Sequence, residues 1–210
     1  MSTLDEIALK HGPDKSSKYH GYTKYYEMFF EPIRNSNLRI LEIGVQFGLS
    51  IKMWLEYFSA SSIFGIDICP IPNQYAFSDP RFKFVLGDHN NTEFWKKFIA
   101  ENGSGWDIVI DDGSHYANGI VTSFNAMWPN LNSHGFYVVE DLFVAYGEYF
   151  QVKGWQNQME FIKGFMDDIN LRGKIFLGNP TPPKDTSLSP LEQEIEYLHF
   201  SKGLAIIKKK

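Results

Sequence analysis

One cysteine, Cys69, is all the thiol that the 210-residue chain carries. A disulfide within these residues is therefore excluded, as is any cysteine-cluster metal site, and the composition suits a reducing compartment. Positive charge is also short: 20 lysines and arginines against 25 aspartates and glutamates give a formal net charge of -5. Without a basic field there is little to hold a phosphate backbone, so nucleic acid is not the expected partner. Lys208, Lys209 and Lys210 read as a solvated tail. No apolar run approaches the roughly 20 residues of a membrane span, and "MSTLDEIALK" lacks the charged start and apolar block of a signal peptide. A cytoplasmic protein without a membrane partner is the expectation. Low-complexity linkers and internal repeats are missing too. With 43% hydrophobic residues, the chain can bury one good core but not comfortably two, so a single domain is expected.

What is present is an alternation of apolar runs and amphipathic stretches. "LRILEIGV", "SIFGIDI", "RFKFVLGD", "WDIVIDD" and "GFYVVED" read as strands. Between them, "LSIKMWLEYFS" spaces Ile51, Trp54, Leu55 and Phe58 along one helical face, and "TEFWKKFIAEN" and "GIVTSFNAMWPNL" read as further helices. Strands separated by helices argue for a parallel sheet, since a parallel connection needs a long crossover. "IEYLHF" and "LAIIKK", joined by "SKG", form a terminal hairpin that adds an antiparallel component. The expected fold is thus α/β with a mostly parallel, seven-stranded sheet. Gly178 to Pro190, with four prolines and no periodicity, reads as a loop.

In open parallel sheets, ligands bind beyond the carboxyl ends of the strands. Those ends carry Glu42 and Gly44, Asp67, Asp88, Asp111 and Asp112, and Glu140 and Asp141. Carboxylates at all five ends point to a site rather than to solubility. Gly44 and Gly48 permit a sharp turn into the following helix, where Ser50 is placed to cap an early turn. The middle glycine of a G-x-G-x-x-G fingerprint is replaced by Gln46, which argues against a bound pyrophosphate. Asp67, about twenty residues on, stands where an acid accepts hydrogen bonds from ribose hydroxyls. A nucleoside without a pyrophosphate fits better than NAD or FAD. Taken alone, Asp111 and Asp112 before Gly113 are also ordinary turn chemistry.

"LEIGVQFGLS", "IFGIDI", "LGD", "DIVIDDGSH" and "GFYVVEDL", in that order, resemble the class I S-adenosylmethionine-dependent methyltransferases, whose fold is Rossmann-like. More narrowly they resemble the metal-dependent macrolide-sugar O-methyltransferases and the cephalosporin hydroxylase-like family, over about residues 8 to 208 and including "HGPDK" and "GYTKYYEMFFEP". The resemblance implies cofactor contacts from Glu42, Gly44, Val45, Gln46, Gly48, Ser50, Asp67, Ile68, Asp88 and Asp111, with Asp67 on the ribose and Asp88 on the adenine amino group. It implies Mg2+ on Asp112, Glu140 and Asp141, with His115 as general base. It further implies that residues 1–36 form a lead-in and helix over the cofactor cleft of a 37–210 core, with His11, Asp14, Lys15 and Tyr22 as contacts. Tyr22, Tyr25 and Tyr146 are placed to line an acceptor pocket. A homo-oligomer is a further expectation from the same source.

Magnesium favours hard oxygen ligands, a few of them carboxylates. A metal-bound hydroxyl is more acidic, and a histidine of ordinary pKa near 6.5 can then take its proton. The expected activity is therefore Mg2+-dependent methyl transfer from S-adenosylmethionine to a hydroxyl of a sugar or other small molecule, in secondary-metabolite or polysaccharide biosynthesis. An amine or carbon acceptor, or a non-catalytic nucleoside-binding subunit acting with a partner, are the alternatives. His11, His20, His89, His134 and His199 otherwise read as surface or packing residues, and Asp107, which begins a strand, falls at the far edge.

Overall fold

The computed structural model describes residues 2–176 and 190–210. Two short helices come first, α1 (Leu4–His11) and α2 (Thr23–Phe30). The alternating region then runs β1 (Arg39–Ile43), α3 (Leu49–Tyr57), β2 (Ser62–Asp67), β3 (Phe82–Leu86), α4 (Thr92–Asn102), β4 (Trp106–Asp111), α5 (Ala117–Met127) and β5 (Leu131–Val139). It closes with α6 (Gln158–Phe176), α7 (Pro190–Glu194), β6 (Ile195–Ser201) and β7 (Leu204–Lys209). The strands form one seven-stranded sheet in the order β3-β2-β1-β4-β5-β7-β6. Its first five strands are parallel, and β7 pairs antiparallel with both β5 and β6.

The expected strands and helices are all present, and three helices are additional. α1 starts at a capping box, in which Thr3 Oγ1 accepts from the Glu6 amide and Glu6 accepts from the Thr3 amide, and ends on left-handed Gly12. The others are α6 and α7. The sequence reading of Gly178 to Pro190 as a loop falls outside the described residues except at Pro190, which opens α7. No helix among the described residues is long and apolar enough to cross a membrane.

Side chains alternate across a strand, and this sorts the sheet into two cores. Ile40, Ile63, Ile108, Ile110, Val138 and Ile206 pack under α1, α2 and α3, together with Tyr26, Phe30, Trp54 and Phe58. Leu41, Ile43, Ile66, Val109, Tyr137, Val139 and Ile207 face α4, α5 and α6, with Trp95, Phe98, Phe124 and Phe165. Burying each large side chain contributes on the order of 1.5–3 kcal/mol, so the aromatic content of the chain is mostly spent on these layers. The order of strands reverses between β1 and β4, where the chain leaves the two carboxyl ends in opposite directions across the sheet. Short backbone bonds tie those ends together: Gly44 donates to the Ile66 carbonyl, Asp112 to Ile43 and Glu140 to Asp111, at 2.8, 2.9 and 3.0 Å.

Candidate functional site

At that divergence lies a cleft of about 510 Å³, lined by the β1 turn, Asp67, Ile68, residues 87–90, Asp112 to His115, Asp141 and the segment Gly12 to Lys15. Its size suits a nucleoside-scale ligand. Gly44 has φ +88°, and a Cβ there would overlap the Asp112 carbonyl, so only glycine lets β1 and β4 approach this closely. Three non-glycine residues in the cleft also have positive φ: Gln46 at 48°, His115 at 58° and Asp141 at 55°. Such conformations cost of order 1–3 kcal/mol each and persist only where the surroundings impose them.

The β-strand period decides which acids meet. Asp112 and Glu140 continue the face of Ile108, Ile110 and Val138, and Glu42 shares the face of Ile40. That face is covered by Lys15 and Tyr26. The Lys15 ammonium, only 1% exposed, donates to Asp112 Oδ2 and to Glu140 Oε2 at 2.9 Å, and lies 3.4 Å from Glu42 Oε1. Tyr26 OH donates to Glu140 Oε1, and Ser50 Oγ donates to Glu42 Oε2 at 2.9 Å. Tyr22 OH donates to Asp141 Oδ1 at 2.7 Å, while Asp141 Oδ2 lies 3.7 Å from His115 Nε2.

Burial pushes the Glu42 carboxyl up to about 7 despite the pull of Lys15. Burial, and then the charge of Asp112, holds Glu140 well above the usual range. Asp112 is raised by burial too, against the pull of Lys15. Burial alone would lower Lys15, but Asp112, Glu140 and Glu42 together hold it well above an ordinary lysine. Among the described residues, four carboxyl groups thus converge with a single ammonium, a charge imbalance that a further cation would relieve.

Asp112, His115 and Asp141 each offer a ligand atom, and these lie within 4.8 Å of one another. The two carboxylates offer hard oxygens that fit a divalent cation, and the imidazole stands beside them. Glu140, expected as the third carboxylate ligand, is instead occupied by Lys15 and Tyr26 and lies outside this group. The cofactor side fits a nucleoside. Asp67 accepts from the Val45, Gln46 and Cys69 amides at 2.8, 2.8 and 2.9 Å, which leaves part of a carboxylate's roughly four acceptor positions open. Asp88 Oδ1 accepts from the Asn90 amide and side chain at 2.9 and 2.8 Å, and Oδ2 takes no donor from the described residues.

Gly44, Val45, Gln46, Ser50, Asp67, Ile68, Asp88, Asp112, His115, Asp141, Asp14 and Lys15 all line the cleft. Other expected residues do not. Asp111 points to the opposite layer, where Ser123 Oγ and, at 3.2 Å, Tyr137 OH donate to it, because its β4 parity is that of Val109. Glu42 lies buried beneath the cleft, and Gly48 is the left-handed N-cap of α3 behind it. Ser50 binds Glu42 rather than capping the helix. His11 ends α1 and meets Glu56 at 2.7 Å on the surface. Tyr25 packs on His199, and Tyr146 is 71% exposed away from the cleft.

His89 is the reverse case. Read as a packing or surface histidine, it lines the cleft, where its Nε2 accepts from the Ser114 amide at 3.1 Å and its ring abuts Gly113 and Gly119. Tyr26 was also missed, because a tyrosine in "KYYEMFF" has the helical spacing of a core residue and its hydroxyl partner is 114 residues away. The glycines at 113 and 119 were the available signal for a close neighbour.

No protein-family model matches the chain. It is similar to the 8-demethyl-8-alpha-L-rhamnosyl tetracenomycin-C 2'-O-methyltransferase of Streptomyces olivaceus, 33% identical over 218 residues, covering 99% of this chain and 54% of that enzyme. The mycinamicin VI 2''-O-methyltransferase of Micromonospora griseorubida is 30% identical over 98% of this chain and 52% of its own length. Among solved structures, the MycE methyltransferase from the mycinamycin pathway, in complex with Mg and SAH, superposes with a TM-score of 0.83 at 30% identity, over 99% of this chain and 54% of that one. The chain spans about half the length of the curated relatives it matches.

Proposed function

We propose, from a chain with the class I S-adenosylmethionine-dependent methyltransferase fold and a sequence related to the macrolide-sugar O-methyltransferases, that it methylates a hydroxyl of a sugar or other small secondary metabolite. The carrying observation is the convergence of Asp112, His115 and Asp141 at the strand-end cleft. The β1 turn, Asp67 and Asp88 hold the nucleoside of S-adenosylmethionine. Asp112 and Asp141 would hold a magnesium ion, with Glu140 behind them, bound to Lys15 and Tyr26. When bound, the ion supplies Lewis-acid polarisation that makes a nearby hydroxyl more acidic.

The remaining chemistry falls to the chain. His115 Nε2 takes the acceptor's hydroxyl proton, and the resulting imidazolium is stabilised by Asp141 Oδ2 beside it. The acceptor oxygen bonds to the sulfonium methyl as the carbon–sulfur bond breaks in line, leaving the neutral thioether S-adenosylhomocysteine. No covalent enzyme intermediate is required, so alignment and exclusion of water are the protein's main tasks. Residues 1–36 serve as the cover through Asp14, Lys15 and Tyr22, over a core of residues 37–210.

Calorimetric titration with S-adenosylmethionine, with and without magnesium, followed by turnover of His115→Ala on sugar and phenolic acceptors, tests the reading. The variant should bind the cofactor normally and lose about 10²–10⁴-fold in turnover. Unchanged turnover would remove His115 as base, and no cofactor binding by folded wild type would remove the reading altogether.

A further inference from the structure

The proposed transfer makes no use of Lys15, the one cation inside the acidic cluster among the described residues. Lys15 sits in the connection between α1 and α2, yet its side chain is as buried as the core, at 1% exposure. Burying an ammonium is costly unless it is fully paired, and here the pairing comes from three strands at once: Glu42 of β1, Asp112 beyond β4 and Glu140 beyond β5. The same segment ends at Tyr22, whose hydroxyl holds Asp141 Oδ1. Each acid nearest His115 therefore has one oxygen held from the N-terminal side, Asp112 Oδ2 by Lys15 and Asp141 Oδ1 by Tyr22. The second oxygen of Asp112 remains for a ligand, and that of Asp141 faces both the cleft and His115 Nε2, 3.7 Å away.

We propose that Lys15 is a positioning residue for the divalent-cation site: it neutralises the inner acids Glu42 and Glu140, fixes one oxygen of Asp112, and so couples docking of residues 12–22 over the cleft to cation binding. The inference rests on the metal reading above. Lys15 and the ion are complementary, because four carboxyl groups still exceed one ammonium and one divalent cation. Coupling of this kind is reciprocal. The cation protects the covering segment, and the docked segment raises cation affinity.

The test uses the whole chain without cofactor or acceptor, with Mn2+ as the probe. Mn2+ affinity is measured by electron paramagnetic resonance, and cleavage within residues 12–22 by limited proteolysis. In wild type, Mn2+ should slow that cleavage. Lys15→Met should lose roughly 10–100-fold in Mn2+ affinity, the range for residues that orient metal ligands, and should lose the Mn2+-dependent protection. Should Lys15→Met fold poorly, Lys15→Met with Glu42→Gln removes one of the two uncompensated inner charges and should show the same loss. A purely structural role would lower the melting temperature and leave Mn2+ affinity intact. Equal or tighter binding by either variant, or wild-type protection indifferent to Mn2+, overturns the proposal. Wild type that binds no Mn2+ overturns the metal reading and this coupling with it, whereas normal wild-type binding retained by the variants removes Lys15 alone.

Discussion

Both edges of the parallel sheet are polar, but only one is left unsatisfied. At the amino edge, Asp107 accepts from the Arg39 amide and the Asn132 side chain, both at 2.8 Å, and the Arg39 guanidinium reaches the carbonyls of Asn102 and Ser104. Charges there are matched, and the groups lie near solvent. At the carboxyl edge, Glu42, Asp112 and Glu140 share one lysine among the described residues, all three are pushed toward the protonated state by burial, and strained backbone lies beside them. The difference teaches that unmet valence, rather than polarity, marks the site.

Substitutions made in pairs across the two edges sharpen that contrast. Asp112→Asn should remove magnesium-dependent turnover, by about 10³-fold if the ion contributes several kcal/mol to the transition state. Asp107→Asn should leave turnover unchanged and show itself only as a lower melting temperature. Equal loss of turnover in both would erase the distinction.

A subtler pair uses two glycines of the same conformation, Gly44 and Gly105, each at φ +88°. At Gly44 a Cβ overlaps the Asp112 carbonyl, whereas at Gly105 its nearest neighbours are Asn132 Oδ1 and Arg39 Nη1, at 3.6 and 3.8 Å. Gly105→Ala should cost only the backbone term, about 1–2 kcal/mol by denaturant unfolding. Gly44→Ala should cost more than that and also weaken S-adenosylhomocysteine binding in calorimetry. Comparable costs would mean that β1 and β4 can separate freely.

A last expected effect is on pH dependence. Glu42 is raised from 4.5 to about 7, so between those values the folded, metal-free protein binds more protons than the unfolded chain. Stability therefore falls as pH rises through this window. Glu42→Gln should flatten that slope in melts at pH 4.5 to 7, and an unchanged slope would assign it to other groups.

Most of the architecture was legible because apolar periodicity and crossover length are local properties. Helix α4 and strand β7 begin and end where "TEFWKKFIAEN" and "LAIIKK" do. β5 is an exception, starting at Leu131 rather than at Gly135, since His134 at φ 62° bends the chain without ending the strand. At the site, parity was the signal left unused. Counting by twos from Ile108 puts Asp112 under the cover and from Val109 puts Asp111 against α5, although the two acids are adjacent in sequence. Asp141 escapes this rule, because its left-handed conformation turns it back toward His115.

The sequence by itself determined the alternation of strands and helices, the row of acids at the strand ends and the glycine turn after β1, all of which follow from the chemistry of neighbouring residues. Only the tertiary structure decided that Lys15 and Tyr26 enter the acidic cluster, that His89 lines the cleft and that Glu140 faces Lys15. Those contacts join residues 25 to 125 positions apart, and a buried charge takes its partner from whichever element packs over it, however distant in the chain.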